Sequence, residues 1–217
     1  MLYDFIKTKK NEFASLVFLA ICFIVFRDPD LHLAINQYHT IGLDQFFKYV
    51  TYFGDGALFP VFVILFLFIK KNQSLKFVFA SLLTLLITFV LKKIVFKGVP
   101  RPIEYFGAEE LHLIEGVKMC HWNSFPSGHS MAAFAMFVLL FLYFKKPLWK
   151  NMMLVIAVLT AFSRVYLSQH FMVDVLVGGG IGTWIAYFSD SLGTKALKAY
   201  KKRKKKAKKV VISPFGR

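Results

Sequence analysis

The chain has 217 residues, 57% of them hydrophobic, and its 28 lysines and arginines against 12 aspartates and glutamates give a formal net charge of +16. A mean hydropathy of +0.54, built from repeated long apolar runs, excludes an ordinary soluble domain and predicts an all-α, polytopic membrane protein. The positive charge gathers in residues 195–209 and in short connections between apolar runs, the pattern of a topology signal, so nucleic acid is not an expected partner.

Six transmembrane helices are expected. The first covers 12–26, follows Lys7, Lys9 and Lys10, and ends at Arg27-Asp28-Pro29. No small-residue cleavage site follows it, so it reads as a retained span and not as a cleaved signal peptide. Residues 28–55 mix Leu31, Leu33, Ile35, Leu43, Phe46, Phe47 and Tyr49 with polar side chains. That mixture suits either a short interfacial segment or an ordered loop. The remaining spans are expected at 56–69, 75–96, 130–144, 151–167 and 171–189. The span 75–96 would be roughly 33 Å long, enough to cross hydrocarbon. Residues 1–194 then form the membrane domain and 195–217 a basic cytoplasmic tail. The tail suits anionic lipid or a disordered topology signal. Cys22 and Cys120 fall in different layers, which predicts free thiols.

Lys70, Lys71 and Lys76, then Lys145, Lys146 and Lys150, and the tail share one side of this plan. The positive-inside rule makes that side cytoplasmic, along with both termini. Residues 28–55, 97–128 and 168–170 then face outward. The expected location is a bacterial inner membrane with the polar motifs facing the periplasm or exterior. Lys92, Lys93, Lys97, Arg101 and Arg164 lie near the outer side against the rule. Charges in such places are candidates for function.

Three stretches carry chemistry. His170 and Asp174 are four apart and share a helix face. A carboxylate can hold one imidazole nitrogen and free the other to attack. The plainer reading is a histidine bonded to a helix-end carboxylate. Pro126-Ser127-Gly128-His129 offers a turn whose N–H groups can converge on an anion at the start of a helix. The plainer reading is a capped turn. Lys92, Lys93 and Arg101-Pro102 offer cations. Arginine grips phosphate oxygens bidentately, whereas a lysine at a span end can simply snorkel. Glu104, Glu109, Glu110, His112, Glu115 and His121 lack metal-ligand spacing and read as a solvated loop. Gly178 and Gly182 form a small-xxx-small pair suited to close helix packing.

Taken in order, Lys…Arg-Pro, Pro-Ser-Gly-His and Ser163-Arg164…His170…Asp174 resemble the three-part pattern of the type 2 phosphatidic acid phosphatase superfamily. That superfamily also includes bacterial acid phosphatases and vanadium haloperoxidases. The second and third parts match residue for residue. The first departs: the family usually places six residues between Lys and Arg, whereas Lys93 leaves seven and Lys92 eight. Lys93 is nearer the pattern and is the expected ligand, with Lys92 as the alternative.

The resemblance implies a phosphatase that needs no metal or other cofactor. It implies His170 as nucleophile, Asp174 as its orienting carboxylate and His129 as proton donor. Lys93 or Lys92, Arg101, Ser127, Gly128 and Arg164 would bind the phosphoryl oxygens. The implied partner is a lipid phosphate substrate within membrane lipid: a polyprenyl diphosphate, an envelope phospholipid or lipid A. The sequence does not fix the oligomeric state. Two other classes compete, a non-enzymatic lipid transporter or anion-binding membrane protein, and a haloperoxidase-like enzyme. A transporter of this size would more often show an inverted repeat, and none is visible.

Overall fold

The computed structural model describes residues 29–212, and every regular element in that range is helical. The expected span at 12–26, with Cys22 and the lysines before it, lies outside the described residues.

Helix α1 covers Pro29–Asn36 and α2 covers Ile41–Val50. Thr40 starts α2 in an extended conformation, its hydroxyl accepting from the Leu43 N–H at 3.2 Å. A 3-10 turn, Thr51–Gly54, leads to α3 at Leu58–Ile69. Asp55 breaks the path, its carboxylate accepting from the Ala57 N–H at 2.9 Å. The two arms meet at 61°. The segment expected between the first two spans is therefore a pair of short helices and a turn.

Helix α4 covers Lys71–Val90 and ends in a π turn, Leu91–Val95. A short α5, Pro102–Phe106, lies in the loop that follows. Helices α6 (Gly128–Tyr143), α7 (Pro147–Tyr166) and α8 (Met172–Ile212) complete the described chain. Three stretches are long and apolar enough to cross a membrane: Lys71–Val95, Pro147–Tyr166 and Met172–Lys204. A fourth is added when the bent pair is taken as one span. The chain is an integral membrane protein with three or four candidate spans among its described residues. The expected spans at 56–69 and 130–144 fall short for a physical reason. At 1.5 Å per residue, α3 is about 18 Å long and α6 about 24 Å, against about 30 Å of hydrocarbon.

Helix α6 is the axis of the packing. Met131, Ala133, Ala135 and Met136 have no exposed surface, and α4, α7 and α8 all pack on this helix. Small residues set the distance to α8. A Cβ on Gly178 would lie 2.5 Å from the Ser127 carbonyl oxygen, and one on Gly182 would run into the Met131 carbonyl. The backbones touch where the small-xxx-small spacing predicts. Stacked rings join α3 to α4: Phe77 lies 5.2 Å from Phe62 and 5.3 Å from Phe66. At the far end of α4, Lys76 pairs with Asp190 of α8 at 2.6 Å.

Helix α8 runs without interruption across 194–195 and through the basic segment to Ile212. The sequence reading of a disordered tail gives way here to helix. Lysine and alanine dominate 195–209, and both are strong helix formers.

Candidate active site

The turn between α7 and α8 carries the nucleophile candidate. The Gln169 and His170 N–H groups both donate to the Arg164 carbonyl, at 2.9 and 3.0 Å. Reversal at this point puts Ser168 at φ +50°, a left-handed conformation uncommon outside glycine. Its hydroxyl is held by Asn36 Nδ2 at 3.1 Å and by His32 Nε2 at 3.2 Å. Helix α1 therefore fixes the turn that presents His170.

Asp174 lies in the first turn of α8, four residues on, and its Oδ2 is 3.3 Å from His170 Nδ1. Both side chains are buried. The same oxygen accepts from the Phe171 N–H at 3.1 Å and from the Ser124 hydroxyl. With Nδ1 engaged, Nε2 is the nitrogen left for the cavity that His170 lines. Burial, and after it the charges of Arg101, Lys92 and Arg164, hold His170 protonation well below the usual histidine range.

The Pro126–His129 stretch opens α6. Ser127 is fully buried, and its hydroxyl accepts from the Ser130 N–H at 3.3 Å and from the Ser130 hydroxyl at 2.9 Å. Its own N–H donates to the Asp174 carbonyl at 3.0 Å. Ser127 thus caps α6 and ties it to α8, and it is not among the cavity-lining residues. Gly128 and His129 are. Sequence reading put all three at the phosphate; Gly128 and His129 line the cavity, whereas the Ser127 hydroxyl accepts at the helix cap. Gly54 packs directly beneath, where a Cβ would come 2.9 Å from the His129 carbonyl oxygen.

Of the two lysines, the structure brings Lys92 to the cavity and leaves Lys93 out of its lining. The geometry favours Lys92, where the sequence preference fell on Lys93. The reason is the π turn, in which the Phe96 N–H reaches back to the Leu91 carbonyl at 2.7 Å. A π turn takes up an additional residue, so part of the long spacing to Arg101 is absorbed before the loop begins. Lys92 Nζ donates to the Asn123 carbonyl at 3.0 Å.

Arg101 is fixed at three points. Its N–H donates to the His121 carbonyl at 2.8 Å, its Nε to the Trp122 carbonyl at 3.1 Å, and its Nη1 to the Gln169 carbonyl at 3.0 Å. Arg164 Nη1 donates to Thr51 at 2.7 Å and its Nη2 lies 3.4 Å from Gln169 Oε1. Arg164 Nε is buried and has no partner.

These groups face one cavity of about 890 Å³. Lys92, Arg101, His129, Arg164 and His170 line it, and the lining continues past Thr88, Leu85 and Ser81 to Phe59 and Pro60. From Lys92 to Ser81 is eleven residues of α4, about 16 Å. One cavity therefore joins a cationic region to a helix-lined apolar one.

Several other polar residues of 97–128 pair with one another or with α2. His121 Nδ1 is 2.8 Å from Glu104, His112 Nε2 is 3.0 Å from Asp44, and Lys48 donates to the Glu115 carbonyl at 2.7 Å. Among the described residues, no three His, Cys, Asp or Glu side chains converge as a metal site. Cys120 is a free, exposed thiol at the cavity. Sequence reading missed Ser124, Gln169, Thr51, Asn36 and His32. Ser124 and Gln169 adjoin the motifs; the other three carry no local signal, since only the fold brings α1 and the 3-10 turn to the site.

Residues 73–196, more than half of the chain, match the family model described as the PAP2 superfamily. The chain belongs to the PAP2 superfamily. It is similar to the undecaprenyl-diphosphatase of Sulfolobus acidocaldarius, with 38% identity over 66 residues, 30% of this chain and 32% of that protein. A "Bacitracin transport permease protein BcrC" from Bacillus licheniformis matches over the same extent, 66 residues at 38% identity and 32% of its length. The chain thus spans about a third of the length of those two relatives. It is also similar to undecaprenyl-diphosphatase BcrC of Bacillus subtilis, with 29% identity over 164 residues, 72% of this chain and 80% of that protein. Among solved structures, LpxE of Aquifex aeolicus superposes with a TM-score of 0.63 at 28% identity, covering 74% of this chain and 92% of its own. The PAP2-type phosphatidylglycerolphosphate phosphatase of Bacillus subtilis gives 0.57 at 22% identity, over 82% and 96%, a likeness of fold.

Proposed function

We propose that this PAP2 protein is a metal-independent phosphatase that hydrolyses a lipid phosphomonoester or diphosphate through a phosphohistidine. One observation carries the reading: Lys92, Arg101, Arg164, His129 and His170 line a single cavity, three cations beside two histidines. His170 Nε2 attacks phosphorus, forming a P–N bond as the P–O bond to the lipid breaks. His129 protonates the departing oxygen. It then takes a proton from water, which attacks the phosphohistidine, releases phosphate and restores His170. Asp174 holds Nδ1–H and favours the imidazolium-like character of the intermediate. The three cations meet the charge that spreads over the equatorial oxygens.

The lipid assignment rests on the apolar continuation of the cavity along α4 and α3. Two relatives bear the name undecaprenyl-diphosphatase, so a polyprenyl diphosphate heads the substrate panel, with phosphatidic acid, phosphatidylglycerol phosphate and lipid A beside it. The positive-inside rule puts the Lys76–Asp190 end in the cytoplasm and the site at the outer face.

Purified protein is expected to release phosphate from at least one dispersed lipid of this panel in excess EDTA. Vanadate is expected to inhibit, because it mimics the pentacoordinate transition state. Activity lost on chelation and restored by magnesium or zinc would contradict the mechanism. Absence of release from the whole panel would favour the transport or anion-binding reading.

A further inference from the structure

We infer that Gln169 is a positioning residue that holds the Arg101 and Arg164 guanidiniums in register for one shared phosphoryl group. The inference rests on the phosphatase reading above. Gln169 is 2% exposed, and its Oε1 lies 3.4 Å from Arg101 Nη1 and 3.4 Å from Arg164 Nη2. Its main-chain carbonyl accepts from Arg101 Nη1 at 3.0 Å. On the other side its amide nitrogen donates to the Lys118 carbonyl at 3.2 Å and lies 2.8 Å from Met119 Sδ.

These partners fix the amide orientation. Guanidinium groups only donate, so the oxygen must face the arginines and the NH₂ the Lys118 carbonyl. The reversed amide would set donor against donor at the arginines and acceptor against acceptor at the Lys118 carbonyl.

The chemistry explains why a neutral acceptor suits this place. Arg101 and Arg164 are both buried and carry like charges. Among the described residues neither guanidinium is paired with a carboxylate. An amide oxygen aligns two cations without neutralising them, so their charge remains for the phosphoryl oxygens. A carboxylate in its place would align them too, but it would pair with them and repel the substrate.

The test compares wild type with Gln169→Leu and Gln169→Glu. Readouts are inhibition constants for inorganic phosphate and vanadate, kcat and KM on one dispersed lipid phosphate, and melting temperature. Leucine removes the acceptor at similar volume, and both inhibition constants are expected to weaken about tenfold, with kcat/KM falling at least as far. Gln169→Glu gives up the N–H to the Lys118 carbonyl but gains two ion pairs, so it is expected to stay folded and yet to bind phosphate and vanadate more weakly than Gln169→Leu. A merely structural residue would not separate stability from anion affinity in this way. Should Gln169→Leu fail to fold, the glutamate variant decides. Phosphate and vanadate constants within twofold of wild type in the folded variants would overturn the inference. A wild type that neither releases phosphate from lipid nor responds to vanadate would instead overturn the phosphatase reading and the inference with it.

Discussion

Replacing His170 with alanine is expected to abolish phosphate release, by about 10³-fold or more, while the protein still extracts and melts as a folded membrane protein. The expectation comes from position. His170 is 1% exposed, it lines the cationic cavity, and its Nδ1 is engaged by Asp174. Loss of a nucleophile removes the covalent route altogether, and what persists comes from binding and electrostatics alone. The wild-type pH profile offers a companion check. Burial and the neighbouring cations lower His170 protonation, so the imidazole stays neutral and nucleophilic below the ordinary histidine pKa of about 6.5. The acid limb of kcat/KM assigned to this group should therefore lie below pH 6.5. Linkage has the same sign. A histidine kept neutral in the fold contributes stability that declines as pH falls below its unfolded value. Near-wild-type release by His170→Ala would remove the proposed nucleophile.

The second large effect is expected at Lys92. Lys92 lines the cavity shared with Arg101 and Arg164, whereas Lys93 is absent from the lining. Removing a charge-assisted contact that strengthens in the transition state costs about 10²–10³-fold in turnover. Lys92→Ala should show a loss of that order, and Lys93→Ala should stay within about threefold, as for a lysine that only anchors the helix end. Parallel assays of the two variants decide the matter. A larger defect at Lys93 would reverse the assignment, and mild effects at both would take lysine out of the mechanism.

The lysine pair marks the boundary of what the sequence could reveal. Counting residues back from Arg101 favours Lys93, because counting assumes a regular helix. The π turn at Leu91–Val95 breaks that assumption, and nothing in Leu-Lys-Lys-Ile-Val announces it. By contrast, the His170–Asp174 pairing follows from four-residue helical spacing, and the structure has both residues at one point. Gly178 and Gly182 were legible for a similar reason: their period matches a helix face, and they meet the carbonyls of the α6 cap, Ser127, and of Met131. Ser127 was half legible. Its capping role and its phosphate role both suit the same residue type, and only the hydrogen bonds to Ser130 separate them. Asn36 and Thr51 were illegible. Each stands more than a hundred residues from its partner, Ser168 or Arg164, and a polar residue near a helix end has many possible uses. Hydropathy located the helices well; α3 and α6 are apolar enough to be found, and at 12 and 16 residues they are as short as the apolar runs that announce them.

The phosphohistidine is the central claim, and rapid acid-free trapping tests it most directly. The His129→Ala protein would be mixed with a lipid phosphate that carries a radiolabelled phosphoryl group and a good leaving group, then quenched in alkaline detergent. Without the proton donor, formation of the intermediate with such a substrate should outlast its hydrolysis. The predicted result is a base-stable, acid-labile label on the peptide containing His170, absent from the double variant His129→Ala/His170→Ala. Label on another residue, or lipid turnover by wild type with none trapped at His170, would contradict the account.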